Sequence, residues 1–150
     1  INVEVRKTIR RPVAVVSRQF GDMRHHERNR VHPDVTFTVL SGGADGCRFR
    51  QQVRLMGMLQ TDEIVQRRNT DGSLSSEVVD GANKGLRIHQ KFVPDGADST
   101  LVTFRAEMPA VGVKRLLKQL FEMAIRRAVT KGLEEDRVDL EERGYGQASG

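Results

Sequence analysis

The chain has little that could staple it. Among 150 residues there is one cysteine, Cys47, no tryptophan and one tyrosine, and aromatics make up 5%. A lone thiol excludes an internal disulfide and a cysteine-built zinc site. It fits a reducing compartment, and the cytoplasm is the expected location. So few aromatics argue against a stacking platform for nucleic-acid bases, and no helix-turn-helix signature is present. There is no apolar run of about 18 residues, so no spanning helix is expected, and no charged-then-apolar leader occurs. Phosphate-loop and nucleophile motifs are missing as well, and no cofactor is implied. The chain opens at Ile1 rather than methionine, which leaves room for residues ahead of it. A chain of this length can bury about two thirds of its unfolded surface, enough for a hydrophobic core to hold it. One domain over residues 1–146 is expected, with 147–150 as a frayed tail.

Charge is plentiful and uneven. The 25 basic and 20 acidic residues leave a net charge of +5, which raises the prior for anionic partners. Arg6, Lys7, Arg10, Arg11, Arg18, Arg24, Arg28 and Arg30 crowd one end against only Asp22 and Glu27. Glu134, Glu135, Asp136, Asp139, Glu141 and Glu142 crowd the other. Facing each other, the two segments would turn an apparent nucleic-acid patch into internal complementarity.

Hydrophobic periodicity supplies the elements. Val3, Val5 and Ile9 alternate with polar residues, which predicts a strand over 2–9. Pro12 stops it and can open a helix over 12–20, closed by Gly21. Residues 22–34 are polar, with His25, His26 and His32, and predict an irregular segment or a second short helix. From Val35 the period returns to two. Cys47, Phe49, Gln51, Val53 and Leu55 alternate with Arg48, Arg50, Gln52 and Arg54, the clearest half-buried strand of the chain. Further strands are predicted over 58–68, 74–79, 86–92 and 102–108, separated by turns such as Asn69-Thr70-Asp71-Gly72. Short turns imply antiparallel neighbours. Strands grouped together, rather than alternating with helices, imply an α+β fold.

The last element is predicted as one helix from Val113 to about Arg143. Val113, Leu116, Leu117, Leu120, Phe121, Ala124, Ile125 and Ala128 recur at intervals of three and four. Its end charges oppose the helix dipole: Lys114 and Arg115 open it, and Glu141 and Glu142 close it. Pairs of Glu122 with Arg126 and Asp139 with Arg143 return only about 0.3–0.5 kcal/mol each. Burial of the apolar face must therefore hold the helix. On a wheel of 100° per residue that face shifts after Ile125, which brings Arg127 and Lys131 into line with Leu116, Leu120 and Ala124. Either the helix bends near Gly132, or Arg127 points along the inner face toward an enclosed space and an anionic ligand group.

The layout resembles the Bet v 1-like or START-like (SRPBCC) superfamily, in particular bacterial proteins grouped as polyketide cyclase, dehydrase and lipid transport domains. Arg11-Pro12-Val13 through Gly21-Asp22 resembles that family's proline-initiated helix and acidic turn. Ser99 to Phe104 resembles its last strand, and Val113 onward its C-terminal helix. The resemblance covers about residues 1–143, and the order of elements carries it. It implies a helix-grip fold, a curved antiparallel seven-stranded sheet (β-α-α-β6-α) around the long helix, and a cavity for sterols, lipids, quinones, hormones or polyketides. A minority of members catalyse cyclisation or dehydration. An aromatic often seen in that family's first helix is absent here, with Val16 near its place.

Candidate cavity residues follow from the inward strand faces: Phe37, Phe49, Gln51, Gln90, Phe92 and Phe104. Leu116, Leu120, Ala124 and Arg127 are the expected helix side. For any single one of them plain core is the first reading, but Gln51 and Gln90 are informative, since an amide on an apolar face needs a partner. A metal at His25, His26 and His32 with Glu27 and Asp34 is set aside, because adjacent histidines point apart and no ligand spacing is met; a solvated loop at the cavity mouth is expected. Asp62, Glu63 and Glu77 lie on strands, where a buried acid can serve as general acid or base. Three functions follow in order of preference: a carrier or sensor of a small hydrophobic molecule, a cyclase or dehydratase, and an interaction protein using the Arg48, Arg50 and Arg54 face. Specific nucleic-acid binding is not expected. The oligomeric state stays open between monomer and homodimer.

Overall fold

The computed structural model describes residues 1–55 and 57–147. Of the tail expected over 147–150, all but Gln147 lies outside those residues. The elements run β1 (Asn2–Ile9), α1 (Val13–Gly21), α2 (Met23–Asn29), β2 (Val35–Gly43), β3 (Gly46–Leu55), β4 (Met58–Arg68), β5 (Leu74–Gly81), β6 (Arg87–Pro94), β7 (Thr100–Glu107), α3 (Val113–Leu116) and α4 (Lys118–Glu141). The strands form one antiparallel sheet in the order β1-β7-β6-β5-β4-β3-β2. Every neighbour follows in sequence except β1, which the two first helices separate from β2 and leave beside β7 at the opposite edge. Register slips at Val39/Ser41 and at Glu63/Ile64 mark bulges, which bend a sheet and add twist. The result is a curved seven-stranded sheet gripping a long C-terminal helix.

The helices are positioned by local chemistry. The Pro12 carbonyl accepts from the Val15 and Val16 amides and opens α1, and Asp22 then caps α2 by accepting from the His25 amide at 3.2 Å. Arg30 ends α2 in the left-handed region at φ 47°. One apolar cluster joins Val16 and Phe20 of α1 to Leu133 and Leu140 of α4 over Ile9, Leu74 and Val102. A second joins Met23 of α2 to Cys47, Phe49, Ile64 and Val78 on the sheet.

The C-terminal helix differs from the single element predicted over 113–143. It breaks at Leu117 (φ −108°, ψ 28°) into the one-turn α3 and the 24-residue α4, while α4 runs through Gly132 without interruption. The reason is burial. Leu133 and Leu140 are 3% and 0% exposed, whereas Leu116 is 85% exposed. Without a covered face, and with no acidic residue in the first turn of either helix, nothing offsets a break there. The expected ladder pairs are also replaced. Glu122 meets Lys118, Arg126 donates to the Glu4 carbonyl, and Asp139 faces Gln19 and His25.

Candidate functional site: a cavity with a histidine–carboxylate wall

Between the sheet and α4 lies a cavity of about 650 Å³, within the roughly 300–1,000 Å³ typical of small-molecule sites. Phe37, Phe49, Gln51, Gln90 and Phe104 line it from the strands, and Leu120, Ala124 and Arg127 line it from α4. Two expected residues stand elsewhere. Phe92 packs edge-on against Phe20, ring centroids 5.3 Å apart, within the first apolar cluster. Leu116 lies on α3, before the break, and points into solvent. The break therefore decides which part of the predicted apolar stripe reaches the cavity. Leu120 and Met123 line it while 43% and 48% exposed, so its wall opens along the first turns of α4.

Besides Arg127, Gln66 and Ser76, the wall carries three sets of polar groups that bear on its chemistry. Gln51 and Gln90 are half-buried on otherwise apolar faces. Asp62, 2% exposed, is the only one of the three strand acids that is fully buried; its carboxylate accepts from the Asn83 amide at 2.8 Å and from the Asn83 side chain at 2.7 Å. Glu63 instead pairs outward with Arg48 at 3.2 Å, and Glu77 is exposed.

The third set gathers the histidines. The segment 22–34 is not a solvated loop, since α2 turns His26 inward to 5% exposure. Met23 and His26, three apart, share the buried face of that helix. His26 Nδ1 lies 2.8 Å from the Asp22 carbonyl and its Nε2 lies 3.0 Å from Asp136 Oδ1. His32, stacked on His26 with ring centroids 5.4 Å apart, has Nδ1 3.0 Å from Glu135 and Nε2 3.3 Å from the same Asp136 oxygen. His25, one step round the helix, reaches Asp139 at 2.7 Å instead. Gln19, fully buried, donates to both Asp136 (3.1 Å) and Asp139 (2.9 Å). His26, His32, Glu135 and Asp136 all line the cavity.

Electrostatics follows the pairing. Burial works against a charged His32, but Asp136 and Glu135 outweigh it and raise its pKa to about 9. Burial likewise opposes ionisation of Asp136, yet the two imidazoles hold its carboxyl well below the usual carboxylate range. The basic and acidic ends of the chain do face each other: Lys7 meets Glu134 at 2.6 Å, Arg10 meets Glu141 at 3.7 Å, and Arg11 donates to the Leu140 and Tyr145 carbonyls. Sequence reasoning passed over Asp136 as a buried residue. The signal was present, because Asp136 lies between Leu133 and Leu140 on the one stripe of α4 that faces the core.

The sequence profile described as polyketide cyclase / dehydrase and lipid transport matches residues 1–141. No curated protein matches the chain. Among solved structures, TTHA0849 from Thermus thermophilus is similar at a TM-score of 0.84 and 16% identity, over 96% of this chain and 99% of that one. The Zhui aromatase/cyclase from Streptomyces sp. R1128 is similar at 0.73 and 15%, over 96% and 98%. A START superfamily protein from Mycobacterium smegmatis is similar at 0.68 and 15%, over 95% of each. With a profile match over nearly its whole length, the chain belongs to the polyketide cyclase/dehydrase and lipid transport family, and its seven-stranded sheet gripping a C-terminal helix is the fold it shares with the START superfamily protein.

Proposed function

We propose that this protein binds and carries a small, largely apolar molecule, such as a lipid, quinone or polyketide-like compound, inside the cavity. The observation that carries this reading is the wall itself. Its exposed lining is mostly apolar around a space of about 650 Å³, and away from the histidine–carboxylate end it bears two half-buried amides, Gln51 and Gln90, and an exposed cation, Arg127. An apolar pocket with few polar groups takes a ligand by area and orients it by those groups. The amides suit a carbonyl or hydroxyl, and Arg127 suits an acidic end. Exposed Val113, Leu116 and Leu117 beside the opening give the ligand an apolar approach. No helix among the described residues is long and apolar enough to cross a membrane. Native mass spectrometry of the protein purified from its own host tests the carrier reading. A co-purifying apolar molecule, displaced by a fluorescent fatty acid, supports it. A ligand-free protein that takes up neither fatty acids nor quinones overturns it.

One observation favours a second reading, an enzyme of the cyclase or dehydratase kind. That chemistry needs an acid or base on the cavity wall, and Asp62 provides a buried carboxyl there. Its test is turnover of a poly-β-keto thioester with an Asp62→Asn variant alongside. Product from the native protein and none from the variant supports the enzyme; no product from either removes it.

A further inference from the structure

We infer that His26, His32 and Asp136 form a binding site for one divalent transition-metal ion in the wall of the cavity. The three residues come from α2, the turn after it, and α4. Their ligand atoms all lie within 4.8 Å of one another. Around a tetrahedral ion with bonds of about 2.0–2.1 Å, neighbouring ligand atoms sit roughly 3.3–3.4 Å apart. His32 Nε2 is 3.3 Å and His26 Nε2 3.0 Å from Asp136 Oδ1, so these two contacts already lie within a few tenths of an ångström of that spacing, and the two rings, whose ligand atoms stand within 4.8 Å of each other, close on the ion by a ring tilt.

The hydrogen bonds aim both Nε2 atoms at one carboxylate oxygen. The Asp22 carbonyl beside His26 Nδ1 can only accept, so Nδ1 must carry the proton. In a neutral ring this leaves the Nε2 lone pair aimed at a carboxylate oxygen, two acceptors face to face. His32 repeats the arrangement, with Nδ1 held by Glu135 and Nε2 on the same Asp136 oxygen. Each ring needs a positive centre at Nε2; a second proton provides it ring by ring in the ion-free protein, and one divalent ion in place of those protons provides it to both. His25 shows the contrast. The Asn29 amide donates to its Nδ1, so its Nε2–H donates to Asp139 and the neutral ring is satisfied.

The surroundings are those a metal ligand requires. Ligating histidines donate their other N–H to a carbonyl or carboxylate, which fixes tautomer and orientation, and both do so here. Asp136 is further held by Gln19, which is fully buried and whose Oε1 has no hydrogen-bond partner. A donor set of two imidazoles and one carboxylate suits zinc, iron(II) and related ions rather than magnesium or calcium, which prefer all-oxygen cages. Because all three residues line the cavity, the positions they leave open face it. A carbonyl or hydroxyl oxygen of a cavity ligand, or water, can complete the sphere. The site does not depend on which apolar ligand is carried, or on whether one is.

The test uses untagged full-length protein stripped with chelator, titrated with Zn²⁺ by calorimetry and with Co²⁺ by visible absorption. One equivalent of Zn²⁺ should bind, and Co²⁺ should give the intense ligand-field bands of a four- or five-coordinate site. His32→Gln and Asp136→Asn should each weaken Zn²⁺ binding at least about tenfold, and His89→Gln, on β6 away from the cluster, should leave it unchanged. If Asp136→Asn fails to fold by circular dichroism, His32→Gln and the cobalt spectrum of the native chain decide. Weak octahedral cobalt bands, equal binding by His32→Gln, or loss of binding in His89→Gln would each overturn the site.

Discussion

His26 and Asp136 stand 110 positions apart in the chain, and their Nε2 and Oδ1 atoms stand 3.0 Å apart in the fold. That contact ties the short helix α2 to the buried half of α4 across the end of the cavity. Gln19 spans the same junction by donating to Asp136 and to Asp139. Replacing Gln19 by leucine keeps the volume but leaves both buried carboxylates short of a donor. Hydrogen bonds to charged groups contribute about 1.5–3 kcal/mol each, so Gln19→Leu, which removes two, should cost about 3–6 kcal/mol in urea unfolding. A loss below about 0.5 kcal/mol would mean that the histidines alone satisfy the pair.

The two ends of the C-terminal helical region should respond differently to the same change. Leu140 is fully buried in the first apolar cluster and Leu116 is 85% exposed. Leu140→Ala should destabilise by about 2–5 kcal/mol, with a cavity left behind. Leu116→Ala should fall within about 0.5 kcal/mol. Comparable losses at the two positions would contradict the break at Leu117.

Two glycines make a second contrasting pair. At Gly81, φ is 112° and an added Cβ would sit 2.2 Å from the Thr61 carbonyl oxygen, so Gly81→Ala should destabilise the β4–β5 end, by about 1–3 kcal/mol. Gly132 lies inside α4, and an added Cβ would meet only the His32 ring, at 3.7 Å. Gly132→Ala should therefore stabilise by about 0.5–1 kcal/mol, since alanine removes the entropy cost of a helical glycine. Thermal unfolding of the two variants should shift in opposite directions.

Tyr145 predicts an alkaline limit. Burial, then its hydrogen bond and proximity to Asp22, raise the phenol to about 12, with Arg18 opposing. Its hydroxyl donates to Asp22 Oδ2 at 2.7 Å, Arg18 lies over its ring at 5.5 Å, and the His25 ring sits 4.6 Å away. The folded protein therefore holds the phenolic proton more tightly than the unfolded chain. This contribution is whole below pH 10 and is lost between pH 10 and 12. Tyr145→Phe should lower stability by about 1 kcal/mol at neutral pH and flatten the alkaline fall. Parallel curves for the two proteins above pH 10 would refute it.

Blocking the cavity should separate binding from folding. Ala124 is half-buried on its wall near the opening. Ala124→Trp fills that space from a partly exposed position, so a fluorescent fatty acid should bind at least about tenfold more weakly, while the unfolding midpoint moves little. Unchanged uptake would place the ligand elsewhere.

Much of the fold was legible because it rests on local rules. The period of two marked the half-buried strands, Pro12 and Gly21 bounded the first helix, and short polar turns dictated antiparallel neighbours. The uneven charge marked the two chain ends that meet, as Lys7 and Glu134 do. The strand positions Phe37, Phe49, Gln51, Gln90 and Phe104 could be assigned to an inward face because side chains alternate along a strand.

What the sequence by itself determined was therefore which face of each element is apolar, and the order in which the elements follow. The tertiary structure alone decided where the C-terminal helix breaks and what its polar residues meet. Helical spacing is the same for a residue over the core and one facing solvent, so Leu116 and Leu140 look equivalent until the fold buries one and leaves the other exposed. Spacing along the chain turned Asp136 inward but was silent about its meeting with His26 and His32. Their meeting depends on how α2 and α4 cross, a relation between elements that no local pattern encodes.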